Sequence, residues 1–262
     1  MKGYSCPRCQ NRHLYSVRRG KKRCKNCLYE WKPKLGGLGL TRRNWYKVLL
    51  WFLLGHSIKT ICRQTGISHY SVEKAVMVTR KVMARDVPRV FSGTVEVDET
   101  YLGGQKKNKR KNQLRKEAES KRGFGTTKQP VFGILTRHGK VFAKLVDDTE
   151  AIDLLPIITR RVKVGSRICS DTWRAYTGLA AKGYVHRTVK HGEREYVRGK
   201  NHINGLEGFW GYLKRKLAAK GGVRRKYLPL FLGEYVWRYN YRNMDTEKQV
   251  KRILKKITDS SG

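Results

Sequence analysis

The spacing of hydrophobic residues changes twice along the chain and divides it into three regions. Residues 1–35 hold only short apolar runs, too small to bury a core of their own. Residues 40–88 place apolar side chains at helical spacing, after a breaker-rich segment at 33–39. Over residues 92–262, strand patterns of period two alternate with helical patterns. We therefore expect three domains with these bounds.

The order of patterns within residues 92–262 predicts an α/β fold. Three strands, a helix, a strand, a helix, a strand and two closing helices are expected at 94–101, 130–136, 141–146, 149–162, 166–170, 173–181, 184–190, 202–220 and 227–243. This is the order of a ribonuclease-H-like fold, in which a mixed five-stranded sheet is flanked by helices. A basic insertion at 105–128, poor in apolar residues, interrupts the order and is expected to form a loop or arm.

Four of the six cysteines lie in the first region as two Cys-x-x-Cys pairs, namely Cys6, Cys9, Cys24 and Cys27. Two such pairs can complete a tetrahedral set of thiolates, which predicts a structural Zn²⁺ site. The region is then a zinc ribbon with short strands around 14–17 and 28–31. A redox pair is the alternative, but it calls for one Cys-x-x-Cys beside a βαβ pattern. Since so small a region buries little surface, the metal is expected to supply most of its folding energy.

Residues 40–88 predict three helices, the last two joined by a tight turn at Gly66. Ser68 is placed to cap the third helix. A short helix, a turn and a second helix form the helix-turn-helix pattern, whose second helix presents its first residues to DNA base edges. The candidates for base contact are His69, Tyr70, Ser71 and Lys74. The alternative is an ordinary three-helix bundle that has no role in DNA binding.

Charge narrows the choice of partner. Lys and Arg number 59 against 20 Asp and Glu, a formal net charge of +39, and self-repulsion of this size opposes compaction unless a polyanion screens it. We expect double-stranded DNA as the partner, with Lys214 and Arg215 either contacting phosphates or forming a solvated basic face. No membrane span or signal peptide is recognisable, so a cytoplasmic, nucleoid-associated location is expected. A ribosomal or chromatin-packing protein is the alternative on composition alone.

The few acidic residues are informative because positive charge is so abundant. Asp98 lies within the first predicted strand of the third region, Asp171 follows the fourth strand, and Glu207 opens the first closing helix. Taken singly, each is more simply a surface carboxylate or a helix cap. Because the first and fourth strands are neighbours in a ribonuclease-H-like sheet, the three are expected to converge and to repel one another unless a cation binds.

Converging carboxylates point to a hard divalent metal. Oxygen ligands favour Mg²⁺ or Mn²⁺, and two such ions about 3.5–4 Å apart can promote an in-line phosphoryl displacement. Asn204 lies one helical turn before Glu207 and on the same face. It is a supporting candidate that would bind the metal through water or orient Glu207.

Four motifs together resemble the DDE-type transposases of bacterial insertion sequences. They are VEVDETYLGG around Asp98, SDTWRAY around Asp171, HINGLEGFWGYLKRKL around Glu207 and the later FLGEYVWRYNYRN. The resemblance is to the ISXO-like group, which is related to the eukaryotic Merlin elements. It extends over the whole chain, because that group also carries an N-terminal zinc ribbon and then a helix-turn-helix. It implies DNA transposition, with Asp98, Asp171 and Glu207 holding catalytic Mg²⁺.

On this interpretation the two N-terminal domains bind the terminal inverted repeats of a mobile element. The acids then activate water to nick the element end, and the freed 3′-hydroxyl attacks target DNA. Two ends must be processed together, so a homodimer or larger assembly on DNA is expected. The alternatives are a metal-dependent nuclease or junction resolvase on the same fold, and a zinc-containing DNA-binding regulator without catalysis.

Overall fold

The computed structural model describes residues 5–103, 128–137, 139–171, 174–188 and 203–260. The chain divides into two compact units, one formed by Met1–Arg85 with Tyr241–Gly262 and the other by Asp86–Asn240. This division differs from the expected one, which assigned 92–262 to a single domain. The expected basic insertion lies outside the described residues apart from Lys128. Within the described ranges, no helix combines the length and the apolar character needed to cross a membrane.

The first unit begins with a small antiparallel sheet of three strands in the order β1-β2-β3. These strands are β1 (Leu14–Val17), β2 (Lys21–Cys24) and β3 (Glu30–Trp31). The apolar runs predicted β1 and β3. The middle strand was not predicted because its sequence, KKRC, has no alternating apolar residues. Its one buried side chain is Cys24.

Three helices follow where the hydrophobic spacing predicts them: α1 (Arg42–Leu53), α2 (Ile58–Thr65) and α3 (His69–Arg85). The Ser57 hydroxyl caps α2 by accepting a hydrogen bond from the Thr60 amide at 3.1 Å. Gly66 ends α2 with a φ of 69°, a left-handed conformation that favours glycine. The next helix therefore starts after only two further residues. The buried faces of the three helices meet around Trp45, Leu49, Ile61 and Val76.

A fourth helix of this unit, α7 (Thr246–Ser260), was missed by the sequence interpretation. Its start is fixed by Asp245, whose Oδ1 accepts hydrogen bonds from the amides of Glu247 and Lys248 at 2.9 and 3.2 Å. It packs against α1 and α3, which explains why the C-terminal segment joins the first unit. The signal was present in the sequence as a helical repeat of buried residues at Val250, Ile253, Leu254 and Ile257.

The second unit is built on a mixed five-stranded sheet, which confirms that part of the predicted fold. The strands are β4 (Thr94–Leu102), β5 (Gln129–Thr136), β6 (Val141–Leu145), β7 (Arg167–Ser170) and β8 (Val185–Thr188). Their order is β6-β5-β4-β7-β8. The pairs β4–β5 and β5–β6 are antiparallel, whereas β4–β7 and β7–β8 are parallel. The first strand in sequence, β4, thus occupies the centre.

Helices cover both faces of this sheet. They are α4 (Ala151–Arg161), α5 (Asn204–Ala218) and α6 (Leu228–Asn240). The helix predicted after β7 is a 3-10 helix and spans Arg174–Lys182. Alternate residues of β4 serve two cores: Val95 and Val97 pack on the side of α4, and Leu102 packs on the side of α5 and α6.

Candidate functional site

The parallel pairing of β4 with β7 places two of the candidate acids side by side. The register pairs Thr94 with Arg167 and Glu96 with Cys169. Continued by two residues, the same register sets Asp98 opposite Asp171, the first residue after β7. The convergence expected from strand order is therefore a consequence of the observed register.

Asp98 is held in a largely enclosed position on the α5 side of the sheet. The indole Nε1 of Trp210 donates a hydrogen bond of 2.9 Å to Asp98 Oδ2. Burial raises the pKa of Asp98 to about 7, and the charges of Asp171 and, to a smaller extent, Glu207 act in the same direction. The Trp210 hydrogen bond opposes this increase in pKa. A bound cation would relieve the repulsion.

Glu207 lies in the first turn of α5, exposed, and within electrostatic range of Asp98. Across the described ranges, one group of three or more potential ligands has its atoms all within 4.8 Å of one another, and that group is cysteine. The structure therefore brings Asp98 and Asp171 together and places the start of α5 within electrostatic range of Asp98. The carboxylate oxygens of Asp98, Asp171 and Glu207 do not all lie within 4.8 Å of one another. Asn204 is the exposed first residue of the same helix.

A glycine in β5 allows Trp210 to reach Asp98. Gly133 is the residue paired with Asp98 across the antiparallel β4–β5 ladder. A Cβ atom at Gly133 would lie 2.6 Å from Cζ2 of Trp210 and 2.7 Å from Cη2. The indole thus rests on backbone that only glycine leaves open. The sequence interpretation missed both residues, although a glycine inside the apolar run of β5 is a signal of close approach.

Glu96 anchors the start of the helix that carries Glu207. Its side chain is 1% exposed, and its Oε2 accepts a hydrogen bond of 2.9 Å from the amide of Leu206, in the first turn of α5. The Arg137 guanidinium lies 3.8 Å from the other carboxylate oxygen. A negative charge at this end also complements the helix dipole. Glu96 therefore has a structural role here, although it shares a face of β4 with Asp98.

The opposite face of β4 carries another acid, Glu99, which is partly buried. Tyr176, fully buried in the 3-10 helix after β7, donates a hydrogen bond to Glu99. Burial raises the pKa of Glu99 to about 8, with Asp98 and Asp171 adding to the effect. Ser170 and His186 are linked by a hydrogen bond of 2.8 Å between Oγ and Nε2. The Ser170–His186 contact holds the end of β7 against β8, and the Tyr176–Glu99 contact holds the following 3-10 helix against β4, on either side of Asp171 in the sequence.

The basic candidates of α5 lie farther along the same helix. Lys214 is one turn beyond Trp210, and Arg215 is exposed beside it. Partial burial lowers the pKa of Lys214, the charge of Asp98 opposes that change, and Lys128 reinforces it. Lys214 therefore lies within electrostatic range of both Asp98 and Lys128.

The predicted base-reading residues occupy the first two turns of α3. His69, Tyr70 and Lys74 are exposed and Ser71 is partly exposed. The ammonium of Lys74 lies 5.3 Å from the centre of the Tyr70 ring. The Ser71 amide donates to Ser68 Oγ at 3.4 Å, so Ser68 caps the helix as its position suggested. The structure thus leaves these side chains available on the surface of the first unit.

The four N-terminal cysteines form a compact cluster. Their sulfur atoms all lie within 4.8 Å of one another, with 3.5 Å between Cys6 and Cys27 and between Cys9 and Cys24. Zn–S bonds of about 2.3 Å would hold tetrahedral sulfurs about 3.8 Å apart. The amides of Arg8 and Asn26 point at the Sγ atoms of Cys6 and Cys24, each at 3.4 Å.

Two of these thiols have pKa values that are shifted in opposite directions. A hydrogen bond from the Asn11 backbone lowers the pKa of Cys9 to about 6, and the neighbouring cysteines act in the same direction. A backbone hydrogen bond at Tyr29 lowers the pKa of Cys27, but burial and the neighbouring cysteines outweigh it and raise that pKa, so Cys9 is the thiol most readily ionised. A thiolate is the form that binds zinc. The donor set, its spacing and its charge therefore fit Zn²⁺.

Comparison with known proteins identifies the second unit. The family model described as the ISXO2-like transposase domain matches residues 90–240. The chain belongs to the ISXO2-like transposase family. The match to this transposase family nearly coincides with the second compact unit, and it contains Asp98, Asp171 and Glu207.

Two relatives support this comparison, and the second covers nearly the whole chain. An uncharacterized transposase-like protein of Haemophilus influenzae is 33% identical over 122 residues, which is 47% of this chain and 96% of the relative. A protein in the transposable element ISH50 of Halobacterium salinarum is 27% identical over 271 residues, covering 96% of this chain and 90% of the relative. The similarity to the second protein includes the first unit of this ISXO2-like transposase as well.

Among solved structures, the Mos1 transposase paired-end complex with the left transposon end aligns with 86% of this chain and 81% of that chain, at 12% identity. The TM-score is 0.23, which is too low for the likeness to bear on the fold.

Removal of one clustered cysteine should release the zinc. Cys9→Ser leaves three thiolates, so the purified variant should contain less than half the zinc of the unaltered protein, and its ribbon should unfold. Zinc content by atomic spectroscopy measures this. Cys62→Ser, outside the cluster, is the matched control and should keep its metal. A Cys9→Ser variant with full zinc content would contradict the four-cysteine site.

Asp98→Asn should stabilise the metal-free protein at high pH. The pKa of Asp98 is raised from 3.8 to about 7. The stability that this carboxyl group contributes to the folded state is therefore fully present below about pH 4 and is lost as pH rises through 7. Asparagine still accepts from Trp210 but carries no charge, and we expect a gain of about 1–4 kcal/mol near pH 8. Thermal unfolding at about pH 8 and pH 4 tests this, in buffer without Mg²⁺ or Mn²⁺ and without a chelator, which would also remove the zinc. The gain should vanish at the lower pH, and an equal gain at both would refute the electrostatic origin.

Gly133→Ala should displace Trp210 and destabilise the second unit. The added methyl group would overlap the indole, an overpacking that typically costs about 1–3 kcal/mol. Chemical denaturation monitored by tryptophan fluorescence measures the loss. Gly208→Ala, where an added Cβ meets no atom within 4 Å, is the control and should lose no stability. Equal stability of the two variants would show that the close approach is unimportant.

Proposed function

We propose that this transposase cuts and joins DNA by metal-dependent phosphoryl transfer of the DDE type. A ribonuclease-H-like fold for the second unit is supported by the sheet order β6-β5-β4-β7-β8, with β4 central and β7 parallel to it. The observation that carries the proposal is the β4–β7 register, which sets Asp98 beside Asp171 inside the part of the chain that matches the transposase family. Glu207 is the third acid, approaching from α5.

The residues present fit Mg²⁺ or Mn²⁺. Asp98 and Asp171 offer hard oxygen ligands, and because burial and the charge of Asp171 raise the pKa of Asp98, a cation bound there would stabilise its ionised form. Such ions, when bound, polarise the phosphate and stabilise the attacking and leaving oxygens of the displacement. The protein contributes orientation: Trp210 fixes Asp98, and Glu96 fixes the first turn of α5 next to Glu207.

The proposed reaction has two steps. A water molecule attacks the phosphorus at the end of the element, the bond to the 3′-oxygen breaks, and a free 3′-hydroxyl remains. That hydroxyl then attacks a phosphodiester of target DNA, so that a new P–O bond forms while the target's own 3′-oxygen leaves. Each step is a direct displacement, and no serine or tyrosine nucleophile is required.

DNA binding is assigned to the basic surfaces of both units. The zinc ribbon and the helix-turn-helix formed by α2 and α3 are proposed to bind the terminal inverted repeats, with His69, Tyr70, Ser71 and Lys74 facing the bases. Lys214 and Arg215 are proposed to contact phosphates near the acids. The net charge of +39 supports a polyanionic partner. Because two ends are joined, a dimer or larger assembly on DNA is proposed.

A strand-transfer assay separates this function from its alternatives. The substrates are duplexes made from the DNA that flanks the gene, one with an intact end and one already cut to a 3′-hydroxyl, together with a supercoiled target plasmid and Mg²⁺. We expect joining of the pre-cut end, which Asp98→Asn and Asp171→Asn reduce to background. Asp147→Asn, an exposed acid outside the site, is the control and should retain joining.

Other outcomes identify other functions. Cleavage of the intact end without joining would indicate a nuclease or resolvase, and binding with neither reaction would indicate a regulator. Full joining by Asp98→Asn would show that the acids have been assigned wrongly.

A further inference from the structure

A cavity of about 390 Å³ opens beside the end of β4 in the second unit. Its apolar wall includes Leu217, Val223 and Leu228, and its cationic side is formed by Lys128 and Lys214. This volume is in the range of sites that enclose a small molecule or a single nucleotide. None of the residues predicted from the sequence, apart from Lys214, belongs to it.

The cavity lies at the end of a line of side chains that starts at the acids. Glu207, Lys214 and Ala218 are seven and then four residues apart, so they share one face of α5. Glu207 and Lys214 are separated by about 10 Å along the helix axis. Both are within electrostatic range of Asp98, and both Lys214 and Ala218 line the cavity. A strand bound at the acids can therefore continue along α5 into it.

The chemistry of the walls matches one nucleotide. A base can pack against an apolar wall, which Leu217, Val223 and Leu228 supply, and a phosphate needs cations, which Lys128 and Lys214 supply at the same opening. A free metal ion would gain nothing from the apolar wall, and a hydrocarbon would gain nothing from two ammonium groups. The axial rise of a DNA strand is about 3.4 Å per nucleotide, so 10 Å corresponds to about three nucleotides.

We propose that this cavity receives one unstacked nucleotide of the DNA strand, within about three positions of the phosphate that reacts at Asp98 and Asp171. Its base packs against the apolar wall, and its phosphate pairs with Lys214 and Lys128. The proposal deepens the proposed function and rests on it for the identity of the strand. The cavity thereby holds the DNA end in register with the acids.

The test uses the full chain and a DNA duplex with a short 3′ overhang, with the fluorescent base 2-aminopurine at each overhang position in turn. Metal is omitted, so binding alone is measured. In the unaltered protein, fluorescence should change most at one position. Ala218→Phe fills the cavity, and it should abolish that change and weaken binding about five- to tenfold. Ala219→Phe, an exposed neighbour that does not line the cavity, is the matched control and should behave like the unaltered protein.

Several outcomes decide the proposal. Equal fluorescence and equal affinity for Ala218→Phe and Ala219→Phe would overturn it, as would the absence of any position-dependent change in the unaltered protein. Thermal unfolding confirms that both variants are folded. Because the assay needs no chemistry, its failure is separate from that of the proposed function. A fluorescence change at one position, together with failure of the strand-transfer assay, would support the cavity as a nucleotide-binding site and would contradict the proposed transposition mechanism.

Discussion

The parallel pairing of β4 with β7 is the constraint on which the rest of the site depends. Backbone hydrogen bonds fix this register. The register brings Asp98 next to Asp171 even though the two negative charges repel each other. Burial, reinforced by the like charge of Asp171, raises the pKa of Asp98 to about 7. The sheet therefore imposes an electrostatic penalty that a divalent cation can relieve. This is a feature of the backbone, and side-chain rotation alone does not remove it.

The packing of α5 on the sheet then determines what surrounds the two acids. At the start of the helix, Glu96 accepts from the Leu206 amide. One turn later, Trp210 lies over Gly133 and donates to Asp98. One further turn along, Lys214 reaches the cavity at the end of β4. The first two contacts fix the helix at Glu96 and at Asp98 of β4, so Glu207, which lies between Leu206 and Trp210, is positioned by both.

The sequence predicted that Asp98 and Asp171 lie close together, and it missed the contacts that depend on the register of β5 against β4. Asp98 and Asp171 were found because strand order alone makes their strands neighbours. The roles of Trp210 and Gly133 require knowing which residue of β5 lies opposite Asp98, and periodicity carries no such information. The strand β2 was missed because it has no apolar alternation and ends in the cysteine cluster. The helix α7 has a clear amphipathic pattern, and its omission was an error of interpretation.

The choice of partner for Asp98 is consistent with metal chemistry. In a chain with a net charge of +39, a lysine or arginine could have been placed to pair directly with this carboxylate, and its pKa would then fall. Among the residues that the structure describes, the side-chain hydrogen bond to Asp98 comes instead from the neutral N–H of Trp210, which orients the oxygen without adding a positive charge beside it. Lys214 is close enough to feel Asp98 but also borders the cavity. A directly paired ammonium would compete with a divalent ion, so the neutral donor preserves the site for a cation while the basic residues remain available to DNA.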